Sequence, residues 1–188
     1  MTGHRKHTWV ALLRGVNVGR AKRVAMADLR SLLEGLGYTQ VRTLLNSGNA
    51  VFSAPTRSAA AALAPTIEAA MSRQLGVDAR VFVVAADTLA AVLAANPLRE
   101  RADDDAKLLV AVFAPVVERA ALGLLAARDW TPDAFAFGPD AAYLWCASGV
   151  LASPLSQAFG KALGDQATAR NWATMTRLAA LAGVAVPA

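Results

Sequence analysis

LLRGVNVGRAKRV, residues 12–24, lies between a short apolar run and an amphipathic one, so it reads as the loop joining a first strand to a first helix. It holds two glycines, an asparagine and four of the chain's nineteen Lys and Arg residues. Upstream, Thr8–Leu13 (TWVALL) has the length and apolar character of a buried strand. Downstream, Met26, Leu29, Leu32, Leu33 and Leu36 recur at the spacing of one helical face, and Gly37 supplies a left-handed cap. Val41–Leu45 and Ala50–Phe52 flank Asn46-Ser47-Gly48-Asn49, a hairpin turn in which Gly and Asn tolerate positive φ.

An alanine-rich helix follows, with Leu63, Ile67, Ala70, Met71 and Leu75 inward and Pro65 required in its first turn or at a kink. Gly76 closes it, and Arg80–Val84 (RVFVV) is a fourth strand. The order strand, helix, strand, strand, helix, strand is the split βαβ, or ferredoxin-like, pattern. The boundaries expected are a ferredoxin-like domain over 8–85, a helix and linker over 86–106, and a second α+β half over 107–188. In that half Lys107–Ala114 is a strand. Pro115 opens a helix with Val117, Ala121, Leu124 and Leu125 inward. Phe135–Phe137 and Ala142–Cys146 form a hairpin around Gly138-Pro139-Asp140, and Ser153-Pro154 caps another helix. A last helix is expected from about Thr168 to Ala182. The fold class is therefore α+β: two ferredoxin-like halves, the second lacking a closing strand, plus a C-terminal helix.

Composition narrows the function classes. Hydrophobic residues make up 55% and charged residues 18%, enough apolar material for a core and too much for a disordered chain. The single cysteine, Cys146, forbids an intrachain disulfide and fits a reducing, cytoplasmic location. Apolar runs such as Val81–Ala86 and Leu108–Val117 are too short to span a bilayer, so no membrane association is expected. The basic N-terminal tail has too short an apolar continuation for a signal peptide. Residues 1–57 carry nine Lys/Arg and two Asp/Glu, a net +7, whereas the other 131 residues carry ten and twelve, a net −2. That asymmetry points to an anionic partner, a phosphorylated small molecule or nucleic acid, or else to a solvated basic surface.

In a ferredoxin-like sheet the first strand ends at the edge where strands two and three are joined. Arg14, Gly15, Asn17, Gly19 and Lys22 then share an end with Asn46, Ser47, Gly48 and Asn49. Backbone N–H groups there, with Arg14, Asn17, Lys22, Arg23 and Ser47, could hold an anion. Arg14 is favoured because a guanidinium offers a planar fork to phosphate or carboxylate. The structural alternative is that the glycines only permit a tight loop and the asparagines only tie it down. Arg170, Asn171 and Thr174 form a second candidate set, with Arg170, Thr174 and Arg177 on one helix face and Thr168 as its N-cap.

Other chemistries find little footing. GVNVGRAK has neither the gap nor the Lys-Ser/Thr pair of a P-loop, and no GxGxxG occurs, so no cofactor is expected. Both histidines, His4 and His7, fall in the basic tail, which leaves no core general base. Cys146 in an apolar strand reads as an inert thiol, and no His/Cys cluster suits a metal. Asp103–Asp105 reads as a solvated linker. The four tryptophans read as core, and no Tyr/Phe pair marks an RNA-reading sheet.

The motifs ALLRGVNVG, MADLRSLLEGLGY, LLNSGNAVF and TARNWATMTRL resemble those of the bacterial family called domain of unknown function 1697, nearly end to end. The resemblance implies the two-part α+β architecture and no established activity. Arg20, where the family often has glycine, and the alanine between Thr168 and Arg170 depart from its pattern. Three functions stay open: an anion-binding protein, a histidine-independent enzyme using Arg14, Asn17, Ser47 and Asn49, and an interaction module whose polar motifs only rigidify it.

Overall fold

The protein is described by a computed structural model covering residues 6–19, 22–55, 60–115, 117 and 119–186. These fall into two compact units, one running to Ala90 and taking in Leu178–Ala185, the other comprising Ala91–Arg177 and Val186.

The first unit is built on strand β1 (Lys6–Arg14), helix α1 (Met26–Gly35), β2 (Thr39–Leu44), β3 (Asn49–Pro55), α2 (Ala60–Leu75) and β4 (Arg80–Ala85). Its antiparallel sheet has the order β2-β3-β1-β4, the ferredoxin-like arrangement expected from the element order. Strand alternation sets its layers: Trp9, Ala11 and Leu13 join Ala50, Phe52 and Ala54 in one core with Leu29, Leu32, Leu33, Ile67 and Met71 of the two helices. Val10, Leu12, Val51 and Phe82, on the alternate positions, are buried as well. Phe52 is fully buried and stacks on Tyr38 at 4.7 Å. Truncating such a ring typically costs about 3–5 kcal/mol.

Helix α1 stops where the sequence says it must. Gly37 takes φ 84°, its N–H donates to Glu34 O at 2.9 Å, and Tyr38 N donates to Leu33 O at 3.2 Å. This pair of bonds satisfies terminal carbonyls that would otherwise be orphaned. Pro65 lies inside α2, the sixth residue of Ala60–Leu75 and so past its first turn. His7, expected in a tail, is part of β1 and pairs with Ala54, its side chain exposed; His4 lies outside the described residues.

Helix α3 (Ala86–Ala94) follows β4, and a single 3-10 turn (Arg99–Arg101) precedes the second sheet. That sheet comprises β5 (Leu108–Phe113), β6 (Ala134–Phe137), β7 (Ala141–Trp145) and β8 (Ala167–Asn171), with α4 (Arg119–Ala126) and α5 (Pro154–Leu163) between them and α6 (Trp172–Leu181) after them. Its order, β6-β7-β5-β8, repeats that of the first. The second half is thus complete: Ala167–Asn171 is the closing strand, not the first turn of the last helix. It pairs with β5, Val110 opposite Arg170 and Val112 opposite Thr168. Pairing along β5 satisfies backbone groups that an isolated helical turn would leave open.

Two helix expectations also shift. Helix α4 begins at Arg119, because Val117 N bonds back to Ala114 O and closes a turn after Pro115. Leu122 and Leu125 face inward, three residues apart, which turns Leu124 outward at 73% exposure. In α6, Trp172, Met175, Leu178 and Ala179 are buried.

Candidate functional site

At the end of β1, Gly15 turns the chain with φ 71° and Val16 folds back into the core, only 3% exposed. Asn17 then adopts φ 57°, a left-handed conformation that its short polar side chain tolerates. Its backbone N–H donates to Lys22 O at 3.0 Å, closing the neck of the loop. Its side-chain oxygen accepts from Val24 N at 2.9 Å, and its amide donates to Val24 O at 2.8 Å and to Asn46 O at 2.6 Å. One side chain thus pairs with a backbone segment as a strand would and holds the loop to the hairpin.

The hairpin turn comprises Leu45, Asn46, Ser47 and Gly48, one residue earlier than the sequence suggested, with Asn49 opening β3. Gly48 has φ 76°, and Leu13 N donates to its carbonyl at 2.8 Å. A Cβ on Gly48 would meet Val16 Cγ2 at 2.6 Å and Leu13 Cβ at 2.7 Å, so glycine is required for the close approach. Asn49 is fully buried and donates to Leu44 O and Ser47 Oγ, both at 2.9 Å. Leu45 is held at φ 57° with 48% exposure. Left-handed backbone on a bulky apolar residue costs on the order of 1–3 kcal/mol and occurs where surrounding structure imposes it.

The first-unit candidates therefore gather at one end. Arg14 is half-buried at the terminus of β1 opposite Arg80, itself 3.6 Å from Glu68. Lys22, Arg23, Gly19 and Ser47 are exposed. Residues 14–25 and 39–55 contain no Asp or Glu, so the charge of loop and hairpin is entirely positive. Helix α1 follows directly, and its N-cap residue, Ala25, makes no side-chain capping bond. Arg20 lies outside the described residues.

Arg170, Asn171 and Thr174 belong to the second unit and do a different job. Arg170 is on β8, not on a helix face, and its Nη1 donates to Thr168 Oγ1 at 3.0 Å and to Ala169 O at 2.9 Å. Asn171, rather than Thr168, caps α6 by accepting from Thr174 N at 3.0 Å. Thr174 is 8% exposed.

Sequence reasoning passed over three features. Val18, 72% exposed, and Leu45 put apolar side chains on the two linked turns; the signal was an apolar residue inside each polar motif. A groove of about 410 Å³ is lined by Arg30, Glu34, Gln40, Val41 and Arg42, where β2 bulges and Gln40 takes φ 53°. A buried polar cluster ties down the second sheet: Asp133 accepts from Ala147 N at 2.8 Å and Ser153 Oγ at 2.7 Å, and Ser153 caps α5 by accepting from Ser156 N at 2.9 Å. Beside it Cys146 is fully buried. Burial pushes its thiol pKa up and the charge of Asp133 adds to this, against a hydrogen bond from Ser153. A thiol held neutral in this way is a poor nucleophile.

The linker aspartates are used locally, Asp105 with Arg99 at 2.9 Å and Asp104 with Ala106 N at 2.9 Å. Among the described residues no three His, Cys, Asp or Glu side chains gather as a metal site would require. No helix among them is long and apolar enough to cross a membrane.

The fold has a counterpart among solved structures. The conserved bacterial protein SP0830 from Streptococcus pneumoniae matches with a TM-score of 0.74, over 95% of this chain and 99% of that one. At 19% identity the likeness is one of fold. A comparison with curated proteins gives no match. The sequence profile of the family described as protein of unknown function, DUF1697, matches residues 7–143, from β1 through most of β7. The chain belongs to that family.

Proposed function

We propose that the loop 14–24 and the hairpin 46–49 together bind an anionic ligand, a phosphorylated small molecule or nucleic acid, in the reducing setting that a lone cysteine suits. The observation that carries this reading is the surface that Asn17 assembles: two turns held by its bond to Asn46, bearing Arg14, Lys22 and Arg23 and no acidic residue. Lys22 and Arg23 are exposed, so they meet a ligand without first leaving a buried position. Ser47, an exposed residue, adds a hydroxyl whose oxygen also accepts from Asn49. Gly15, Gly19 and Gly48 give the backbone its shape, while Asn17 and Asn49 brace it. A thermal-shift screen against nucleotides, phosphorylated metabolites and oligonucleotides tests the reading. A ligand at 100 times its Kd adds about 2.7 kcal/mol of stability. The shift is expected to vanish in Lys22→Ala/Arg23→Ala while the unliganded melting temperature is kept.

A second reading, an interaction module, draws on one observation: the side chains of Asn17 and Asn49 are engaged with the chain itself. It expects no anion in the screen to raise the melting temperature and Asn17→Ala to act on stability alone.

A further inference from the structure

We infer that the anionic ligand of this end is the backbone of a double-stranded nucleic acid, docked so that Val18 and Leu45 enter a groove between phosphates held by Lys22 and Arg23. The inference rests on the proposed anion site and names its occupant. Val18 and Leu45 are 72% and 48% exposed, and each adjoins one partner of the Asn17–Asn46 bond, so the two apolar side chains stand on turns held together. The Asn17 N to Lys22 O bond brings the backbone of Lys22 to Asn17, the neighbour of Val18, and Arg23 follows it, exposed. The described loop and turn residues therefore carry aliphatic groups and cations, and residues 14–25 and 39–55 contain no Asp or Glu.

Each alternative occupant leaves part of this surface unused. A free phosphorylated compound on protruding side chains would neutralise the cations yet leave both aliphatic groups in water. A duplex groove covers apolar side chains while its flanking phosphates reach the cations, the division of labour seen in backbone-reading proteins. Single strands are gripped by stacking on aromatic rings, and residues 14–24 and 45–49 contain none. Proteins seated at a bilayer interface anchor there through Trp and Tyr, and residues 14–24 and 45–49 contain neither. Here Trp9, Trp145 and Trp172 are buried.

The test measures binding of the full chain to a labelled duplex over a salt series, beside a single strand of the same sequence, inorganic phosphate, a nucleoside triphosphate and vesicles rich in anionic lipid. Duplex binding is expected to weaken with salt, with a log–log slope of roughly −0.9 per phosphate contacted. Lys22→Ala and Arg23→Ala are each expected to reduce that slope by about one. Leu45→Asn is the decisive variant, since asparagine suits the left-handed backbone and the protein keeps its fold. It is expected to lower duplex affinity about tenfold, and Val18→Ser to act in the same direction. If phosphate or the triphosphate binds as tightly as the duplex and Leu45→Asn changes nothing, the duplex is overturned and the anion site stands. Preferential binding of the single strand, or of the vesicles, would overturn it in favour of that partner. If no anion binds, both the duplex and the anion site fall.

Discussion

The side-chain amide of Asn17 donates to the carbonyl oxygen of Asn46 at 2.6 Å, joining positions 29 apart in the chain. The same side chain pairs with both backbone groups of Val24, so loop, helix approach and hairpin share one anchor.

Asn17→Ala is therefore expected to destabilise the protein by about 2–3 kcal/mol, since it leaves three backbone groups without their partner and removes a residue suited to φ 57°. Urea unfolding gives the energy. Hydrogen exchange at Val24 gives the place, with its amide losing protection before those of β1. A change below about 0.5 kcal/mol would show that the anchor is dispensable.

Glycines at this end differ in what they prevent. Gly48→Ala drives a Cβ into Val16 and Leu13, whereas nothing stands within 4 Å of a Cβ on Gly15 or Gly19. Expected losses are about 3 kcal/mol or more for Gly48→Ala and about 1–2 kcal/mol, from backbone strain alone, for Gly15→Ala or Gly19→Ala. Equal denaturation midpoints for the three variants would contradict the close approach.

Alkaline pH probes the second unit. Tyr143, 2% exposed, donates its hydroxyl to Val92 O at 2.7 Å. Burial, with the charge of Asp140, pushes its pKa up to about 12. The folded state holds this proton more tightly than the unfolded chain, so the contribution is complete below pH 10 and is lost as pH rises toward 12. Burial raises Tyr38 as well, in the same direction. Stability is expected to fall by up to about 2 kcal/mol across that window, with a shallower fall in Tyr143→Phe. Identical pH profiles for the two proteins would remove Tyr143 from the explanation.

Asn171→Ala removes the N-cap of α6 and is expected to cost about 1 kcal/mol, with Asn171→Asp or Asn171→Ser restoring most of it. Thermal melts of the three variants measure this. A loss untouched by either restoring residue would mean that Asn171 acts through something other than the cap.

Much of the architecture was legible because the buried elements advertise themselves. TWVALL and RVFVV have the length and apolar run of buried strands, Leu29, Leu32 and Leu33 fall on one helical face, and the element order then places Asn46–Asn49 beside the first loop. The closing strand of the second sheet was not legible. ATARN has only two apolar positions, both alanine, and runs straight into an amphipathic helix, so local pattern favoured extending the helix backwards; pairing with β5 decides otherwise. Leu124 was misplaced because its expected face was counted from Val117, which bonds back to Ala114 in a turn, whereas the buried face of α4 runs through Leu122 and Leu125. At the candidate site the residues were legible but not their division of labour. Nothing in NSGN says that Asn49 is buried and Ser47 exposed, and nothing in RGVNVG says that Asn17 spends its amide on Val24 and Asn46.

Backbone amide shifts of the isotopically labelled protein, followed while a phosphate-bearing ligand from the screen is added, test the anion site most directly. Saturable shifts are expected at Val18, Gly19, Lys22, Arg23, Ser47 and Gly48, and are expected to disappear in Lys22→Ala/Arg23→Ala. Shifts centred instead on the groove of Arg30 and Arg42, or no saturable shift with any phosphate-bearing ligand, would contradict an anion site at this end.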